Sequence, residues 1–215
     1  MRLSHLSFRK CFKPIQPASL GRCLIPGIVS ASVLALSSCA LIKPAESPRE
    51  TYELTAPSSF GNLRSVSRSQ ILVKVPTALK SIDSERIIVR PSASVITYLA
   101  GAQWSDTVPR MVQAKLVEAF ENTNATGATA RPGDGLVIDY QLVSDIRRFE
   151  MLDGIAVIEL SIKLLTDKTG VVRETRIFTA KRRATGKSAD DYVAAFDASF
   201  DELSREIVRW VINRT

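Results

Sequence analysis

The chain has 215 residues, of which 45% are hydrophobic and 24% charged, an ordinary composition for a protein with one sizeable folded domain. Its formal net charge is +7, but the first 38 residues hold five of the 29 basic residues and none of the 22 acidic ones. The rest is nearly balanced, without the clustered basic surplus typical of nucleic-acid-binding domains. The single histidine, His5, also lies in this leader, so a domain that begins after residue 38 has no Ser-His-Asp triad, Cys-His dyad or ordinary zinc site.

The N-terminal segment has the organisation of a bacterial lipoprotein signal peptide. A basic, polar stretch (2–22) precedes an apolar run (24–36) that is too short to span a bilayer. The sequence LSSC (36–39) resembles a lipobox: an aliphatic residue, two small residues and a cysteine. We therefore predict cleavage between Ser38 and Cys39 and lipidation of the Cys39 thiol. The alternatives are a membrane anchor or buried helix for the apolar run, and a free or disulfide-bonded thiol for the cysteine.

The residues after the cysteine indicate where the domain is held. Ala40, rather than Asp, is typical of lipoproteins sorted to the outer membrane, and the Pro-rich, polar segment that follows is typical of a flexible tether. The twelve steps from Cys39 to Thr51 reach at most about 40 Å. We thus predict a signal peptide (1–38), a lipidated cysteine with its tether (39–50) and one periplasmic domain (51–215). Several acyl chains on one cysteine would make the membrane anchor stable.

Short strands and then a helix are predicted for the first half of the domain. Alternating or β-branched residues predict strands at Tyr52–Ala56, Ile71–Val75, Arg86–Arg90 and Val95–Leu99. A helix is predicted from an N-cap at Ser105 or Asp106 to about Asn122, because apolar residues recur there at three- and four-residue spacing. That apolar face comprises Val108, Met111, Val112, Leu116, Ala119 and Phe120.

Three long strands and a second helix are predicted for the second half. Alternation and turn sequences predict an antiparallel meander of Leu136–Phe149, Ile155–Thr166 and Val171–Arg182. A helix is predicted from about Ala189 to Asn213, and its apolar stripe comprises Val193, Phe196, Phe200, Leu203, Ile207 and Trp210. The stripe packs on the sheet or, alternatively, forms a seam with a partner helix or a second copy. This order of elements predicts an α+β fold, a largely antiparallel mixed sheet with two amphipathic helices packed on one face.

Two candidate motifs for chemistry have simpler structural interpretations. The GKS sequence (186–188) resembles the end of a phosphate-binding loop, but the required first glycine is Lys181, so a helix capping box at Ser188 is preferred. A carboxylate pair for glycoside hydrolysis would need a shared cleft. We instead expect the acidic residues of the meander to form solvated pairs with Arg147, Arg148 and Arg176. These acidic residues are Asp139, Asp145, Glu150, Asp153 and Glu159.

Two further features have a structural and a functional interpretation. Trp104 is expected to pack on the first helix as a hydrophobic staple, with an exposed lipid or partner contact as the alternative. The cations of residues 181–183 are expected to be a solvated strand end, with contact to anionic headgroups as the alternative. We predict no catalytic residue, no metal site and no cofactor.

A series of short sequences in this chain is similar to those of one protein family. In chain order they are the lipobox at Cys39, YEL (52–54), VKVP (73–76) with Leu79, RIIVRP (86–91), Tyr98, QWSD (103–106), Pro109 and the helix that carries Leu116. Their order resembles the ABC-type transport auxiliary lipoprotein family, which is found beside mammalian-cell-entry (MCE) and paraquat-inducible-type transport systems. The similarity covers most of residues 39–213 and is most specific from Arg86 to Leu116. The family usually has a short strand between Gly127 and Gly135, for which this sequence shows no signal.

The resemblance implies a non-enzymatic, membrane-anchored accessory subunit of the periplasm. Its implied partners are an MCE-domain protein, a permease and an ATPase, which together move phospholipids or other lipids between the envelope membranes. Nucleic acid is not among the implied partners, and homo-oligomerisation is left open. The alternative is a structural or pilotin-like outer-membrane lipoprotein that assists the assembly of another envelope protein.

Overall fold

The computed structural model describes residues 48–61, 63 and 66–215. These residues contain nine strands and two helices. All of these residues belong to one compact unit. Ser38 and Cys39 lie outside them, so cleavage and lipidation stay predictions. In chain order the elements are β1 (Glu50–Tyr52), β2 (Gln70–Val73), β3 (Thr77–Ala78), β4 (Arg86–Ser92), β5 (Val95–Trp104), α1 (Val108–Glu121), β6 (Ala128–Ala130), β7 (Tyr140–Leu152), β8 (Ile155–Thr166), β9 (Val172–Arg183) and α2 (Ala189–Ile212).

One mixed sheet contains all nine strands, with β7 at its centre. On one side β7 pairs with β8, and β8 pairs with β9, both antiparallel. On the other side β2, β3 and β4 lie one after another along β7, each parallel to it. β6 extends the sheet beyond β2, while β5 and then β1 extend it beyond β4. Because the long pairings are antiparallel and the parallel ones are short, the predicted α+β fold with a largely antiparallel mixed sheet is confirmed.

The β7–β9 meander follows from the alternation of its sequence. The fully buried side chains of β8 are Ala156, Ile158, Leu160, Ile162 and Leu164. Leu160 lies opposite Ile146 of β7 and Phe178 of β9, so the three strands bury one common face. Asp153 and Gly154 join β7 to β8 with φ angles of 51° and 70°, the left-handed conformation that a two-residue hairpin turn requires.

Both helices pack on this apolar face. α2 contacts β8 and β9, whereas α1 contacts α2, β2 and β6. The predicted apolar face of α1 is buried throughout. Five residues of the predicted α2 stripe are also buried, and Val193 is half-buried. The stripe therefore packs on the protein's own sheet, and its alternative interpretation as a seam with a partner helix or a second copy is wrong.

The start of α1 differs slightly from the prediction. Its N-cap is Thr107 rather than Ser105 or Asp106. Asp106 instead accepts a hydrogen bond from the Thr107 N–H through Oδ1 at 2.6 Å. Pro109 lies in the first turn, where its missing N–H needs no helical partner.

The short strands differ most from the prediction. β1 was expected at Tyr52–Ala56 but spans Glu50–Tyr52, and beyond it the Thr55 N–H donates to Asp197 Oδ1 of α2 at 2.6 Å. β3 and β6 were not predicted from the residue pattern. β6 supplies the short strand that the family resemblance implies for the Gly/Pro-rich segment.

β6 depends on a close approach between two backbones. Gly127 precedes it and donates its N–H to the Ser69 carbonyl at 3.1 Å. A Cβ at this glycine would lie only 2.0 Å from the carbonyl oxygen of Arg68. The pairing of β6 with β2 therefore requires a residue without a side chain at position 127.

An aromatic cluster joins the sheet to α2. Trp104, at the end of β5, is 1% exposed. Its ring makes edge contacts with Phe149 of β7 and Phe196 of α2, at centroid distances of 5.8 and 5.5 Å. Phe149 and Phe196 stack on each other at 5.2 Å. Trp104 is therefore a core residue, and its ring partners lie on β7 and α2 rather than on α1, where the staple was expected.

Candidate functional site

Glu150 is the acidic residue of the meander whose burial differs from the sequence interpretation. It was expected in solvent, but it is only 3% exposed. The Arg90 Nε donates to its Oε2 at 2.5 Å, and the Arg148 Nε donates to its Oε1 at 2.8 Å. Arg90 was not among the expected partners, because it comes from β4, which β7 meets only in the folded sheet. The buried carboxylate therefore joins two strands.

The other acidic residues of the meander make local contacts. Glu159 pairs with Arg147 at 3.4 Å, as expected of a cross-strand pair. Asp145 accepts a hydrogen bond from the Thr77 hydroxyl at 2.7 Å, and Asp153 lies in the β7–β8 turn. Arg176, one of the three arginines expected to pair with these carboxylates, instead lies with its guanidinium 4.7 Å from the centre of the Phe178 ring. Among the described residues the expected arginine pairs thus form at Glu159 and Glu150 alone, and Asp145 bonds to Thr77 instead.

The GKS segment forms a helix cap. Ser188 is the N-cap of α2, and its hydroxyl accepts a hydrogen bond from the Asp191 N–H at 3.1 Å, while Asp191 Oδ2 accepts from the Ser188 N–H at 3.1 Å. The predicted capping box is confirmed. The hydroxyls of Ser188 and Thr185 both donate to the Asp191 carboxylate. These hydrogen bonds, that from Ser188 first, lower the pKa of Asp191 from its ordinary value.

The N-terminal half of α2 also holds the start of the domain. The Tyr52 hydroxyl lies 2.6 Å from Glu50 Oε2 and 2.8 Å from Asp190 Oδ1. The hydrogen bond to Glu50, followed by that to Asp190, raises the pKa of Tyr52 well above its ordinary range. Because β1 directly follows the predicted tether, the tether enters the domain beside this end of α2.

A groove lies at the opposite, C-terminal end of α2. It consists of two adjoining cavities of about 660 and 930 Å³, which share Arg68 and Thr215. Its walls come from the segment before β2, the residues leading into β7, the end of β8 with the turn that follows it, the start of β9 and the end of α2. Since α2 has 24 residues, the groove lies about 36 Å along the helix from the tether end.

The floor of the groove is formed by polar side chains that are held by hydrogen bonds. Glu174 of β9 accepts from Arg214 Nε and from the Trp210 indole N–H, the latter at 3.2 Å. The hydrogen bond from Arg214 is the main cause of a lowered pKa at Glu174. Arg173 donates to the Tyr140 hydroxyl at 2.7 Å and to the Arg214 carbonyl at 3.1 Å. These bonds fix the groove wall to both the sheet and α2.

The rim of the groove is apolar and cationic. Leu136 and Val137 were predicted to begin a strand, but β7 begins only at Tyr140. Asp139 bonds to Gln70 instead, through its N–H at 3.0 Å and its carboxylate at 2.8 Å. The two apolar residues are consequently 44% and 82% exposed.

Two more side chains complete the rim. Val66 is 73% exposed beside the first cavity. Arg68 and Lys168 are exposed on the second cavity. Neither cation has a hydrogen-bond or ion-pair partner among the residues that the structure describes. This rim combines exposed positive charge with apolar surface, as binding surfaces do.

The described residues contain no group of three or more His, Cys, Asp or Glu side chains arranged to hold a metal ion. Within that same part of the chain neither helix is long and apolar enough to cross a membrane. The described residues thus form an α+β domain with a capped helix, carboxylates that are held in local contacts, and an open groove. The residues of the groove were not identified from the sequence, and the only local signal is the apolar LVI sequence (136–138) among turn residues.

Comparison with known families identifies the class more narrowly. The model of the ABC-type transport auxiliary lipoprotein component family matches residues 52–208, so the chain belongs to this family. The resemblance expected from the short sequences is thereby confirmed. The family consists of auxiliary lipoproteins of ABC-type transport rather than of enzymes.

Individual proteins are also similar to this chain. A curated protein of Bradyrhizobium diazoefficiens, the uncharacterized protein bll6063, is 30% identical over 164 residues, which make up 75% of this chain but only 44% of that relative. The chain therefore spans less than half the length of this relative. The crystal structure of protein XCC0632 from Xanthomonas campestris is 31% identical, with a TM-score of 0.73 over 76% of this chain and 95% of that one. A crystal structure of another uncharacterized protein, 14% identical, has a TM-score of 0.62 over 77% and 99% of the two chains, so it shares the fold.

Proposed function

We propose that this protein is the membrane-anchored periplasmic accessory subunit of an MCE-type ABC transport system that moves lipids between bacterial envelope membranes. The observation that carries the proposal is the family match, which covers the folded domain from β1 to the last turns of α2. The partners in this proposal are an MCE-domain protein, a permease and an ATPase.

The anchor in this proposal is Cys39. The lipobox predicts that signal cleavage after Ser38 makes this cysteine the acylated first residue of the mature protein. Ala40 favours the outer membrane over the inner membrane. The tether then leads to β1, beside the N-terminal end of α2.

We assign the groove to contact with the MCE-domain subunit. Its position supports this assignment, because the groove is at the end of α2 away from the tether and thus away from the anchored end of the domain. Its chemistry supports it as well. Exposed apolar side chains beside unpartnered cations are typical of a protein-binding surface with a polar rim.

Affinity purification of the tagged protein from detergent-solubilised membranes tests the proposal. We expect the MCE-domain protein, the permease and the ATPase to co-purify with it. A Val137→Asp variant should lose the MCE-domain protein, whereas Val95→Asp, a change of the same kind at a 48% exposed residue on β5, should retain it. Recovery of only a secretin or an outer-membrane β-barrel would contradict the proposal and support the pilotin-like alternative.

The anchor is tested separately by labelling with a fatty acid. The wild type should incorporate the label, and Cys39→Ala should remain an unlabelled precursor. In density-gradient fractionation the wild type should sediment with the outer membrane, and Ala40→Asp should move toward the inner membrane. Labelling of Cys39→Ala would contradict the lipobox assignment.

Self-association is a further hypothesis within this proposal. The α2 stripe is buried in the core, so a homo-oligomer would have to use another surface. Light scattering of the purified protein across a range of concentrations gives the mass directly and distinguishes a monomer from a homo-oligomer.

A further inference from the structure

β9 is a long strand with one free edge. It has 12 residues, and among the described residues its only sheet partner is β8. Alternate N–H and C=O groups along its other edge therefore face outward, as on any edge strand. The only side-chain bond to the strand's backbone in the described part of the chain comes from Arg182, which donates to the Lys181 carbonyl at 3.0 Å.

The centre of this edge is suited to strand pairing. Thr175, Ile177 and Thr179 project from the face of the sheet opposite the helices, because they pair with Lys163, Ser161 and Glu159 of β8 on its polar face. All three are exposed, and Ile177 is 51% exposed. Thr and Ile are residues that favour strands and cross-strand contacts.

The charge on β9 favours a negatively charged partner. β9 carries five cations and a single carboxylate, that of Glu174, which Arg214 already neutralises. Arg182 pairs with Glu202 of α2 at 2.7 Å. Lys181 and Arg183 are exposed, as expected for a solvated strand end, and no ion pair holds either of them in the described residues. Free positive charge therefore lies next to the pairing edge, on the polar face of the sheet.

A second copy of the same strand is a poor partner. If two β9 strands paired antiparallel about Ile177, Arg173 of each strand would lie opposite Lys181 of the other. Moving the centre of pairing to Phe178 would place Arg173 opposite Arg183. Like charges directly opposite each other destabilise a strand pair, and basic residues on an edge are a known protection against self-association.

We propose that the free edge of β9 binds an extended, acidic segment of another protein by β-strand addition. The backbone of that segment would pair with the outward N–H and C=O groups of β9. Its apolar or β-branched side chains would lie beside Ile177, and its carboxylates beside Lys181 and Arg183. This proposal concerns the folded domain alone and does not depend on the transport system in which the domain works.

Hydrogen–deuterium exchange of the protein, purified from membranes in detergent, tests the proposal with synthetic peptides. The probes are three ten-residue peptides of alternating Val and Thr in which three Thr positions are replaced by Glu, by Gln or by Lys. We expect the Glu peptide to slow exchange of the amides of β9, and the Gln and Lys peptides to bind at least about tenfold more weakly, because several cross-strand charge pairs are lost or reversed.

Charge reversal in the protein provides the second half of the test. In a Lys181→Glu, Arg183→Glu double variant the preference should invert, so that the Lys peptide protects β9 and the Glu peptide does not. Lys74→Glu, Lys80→Glu is the matched control, because it makes the same change in net charge at two exposed residues away from β9. Equal protection by all three peptides, no protection by any, or concentration-dependent protection of β9 without peptide would each overturn the proposal, the last by showing that a second copy occupies the edge.

Discussion

The N-terminal end of α2 and the groove rim beside its C-terminal end differ in how completely their side chains are used. At the N-terminal end a capping box, the Asp197 bond to Thr55 and the stacked rings of Phe149 and Phe196 leave the helix fixed to the sheet. At the C-terminal end the helix borders an open groove, where Val137 is 82% exposed and Arg68 has no partner in the described residues.

This difference separates stability from binding. The buried rings and the helix cap at the N-terminal end help to hold the domain folded. Exposed apolar groups and unpartnered charges contribute little to folding and are available to another molecule. Substitutions of the buried residues at the N-terminal end should therefore lower stability, and substitutions of the exposed rim residues should change binding alone.

The largest effect is expected from removing a ring of the aromatic cluster. Phe196→Ala should lower the free energy of unfolding by about 3–5 kcal/mol, because a buried aromatic side chain is replaced by a cavity. Urea unfolding followed by circular dichroism measures this value. Val137→Ala at the groove is the matched control and should change it by no more than about 0.5 kcal/mol. Equal losses in the two variants would remove the distinction between the ends.

A smaller effect is expected at the buried carboxylate that lies next to the cluster in β7. Glu150→Gln should lower stability by about 1–3 kcal/mol, since two guanidiniums lose a charged acceptor while remaining partly able to rehydrate. Glu159→Gln should lower stability by less than about 1 kcal/mol, because its ion-pair partner Arg147, 3.4 Å away, is half-exposed. A Glu150 variant as stable as the Glu159 variant would show that the buried contact has no special role. The same unfolding measurement compares both.

The smallest effect is expected at the cap of α2. Ser188→Ala should cost about 1 kcal/mol at neutral pH, measured by thermal or urea unfolding. The same substitution should also change how the free energy of unfolding falls at acidic pH. A lowered native pKa at Asp191 contributes stability that is present above the unfolded value, 3.8, and is lost as the pH falls through the native value.

Removing the Ser188 hydroxyl takes away the main cause of that lowered pKa. The pKa of Asp191, followed by NMR titration, should therefore rise toward 3.8 in the variant. The loss of stability below about pH 4 should become shallower. An unchanged pKa would show that the Thr185 hydroxyl alone is sufficient.

The parts of the fold that were predictable are those with a local sequence signal. β8 was predicted with its bounds correct, because alternation of apolar and polar residues is a local signal of a strand with one buried face. β3 and β6 have two and three residues, too few to show a period. They form because the neighbouring backbones of β7 and β2 are already in place, and this pairing is not encoded locally.

The site was less predictable than the fold for a related reason. The sequence identified the lipobox, since that signal is a short contiguous motif. It did not identify the burial of Glu150, because Arg90 reaches this carboxylate from 60 residues away. Nor did it identify the groove, whose walls come from five separate segments and whose apolar rim residues resemble the start of a strand.

Site-specific photo-cross-linking in intact cells tests the central claim most directly. A photo-reactive amino acid at position 137, in the groove, should cross-link the protein to an MCE-domain subunit. The same probe at position 95, on β5 away from the groove, should not. Cross-linking from position 137 to a secretin or β-barrel, or equal cross-linking from both positions, would contradict the account of the groove as the contact with the transport system.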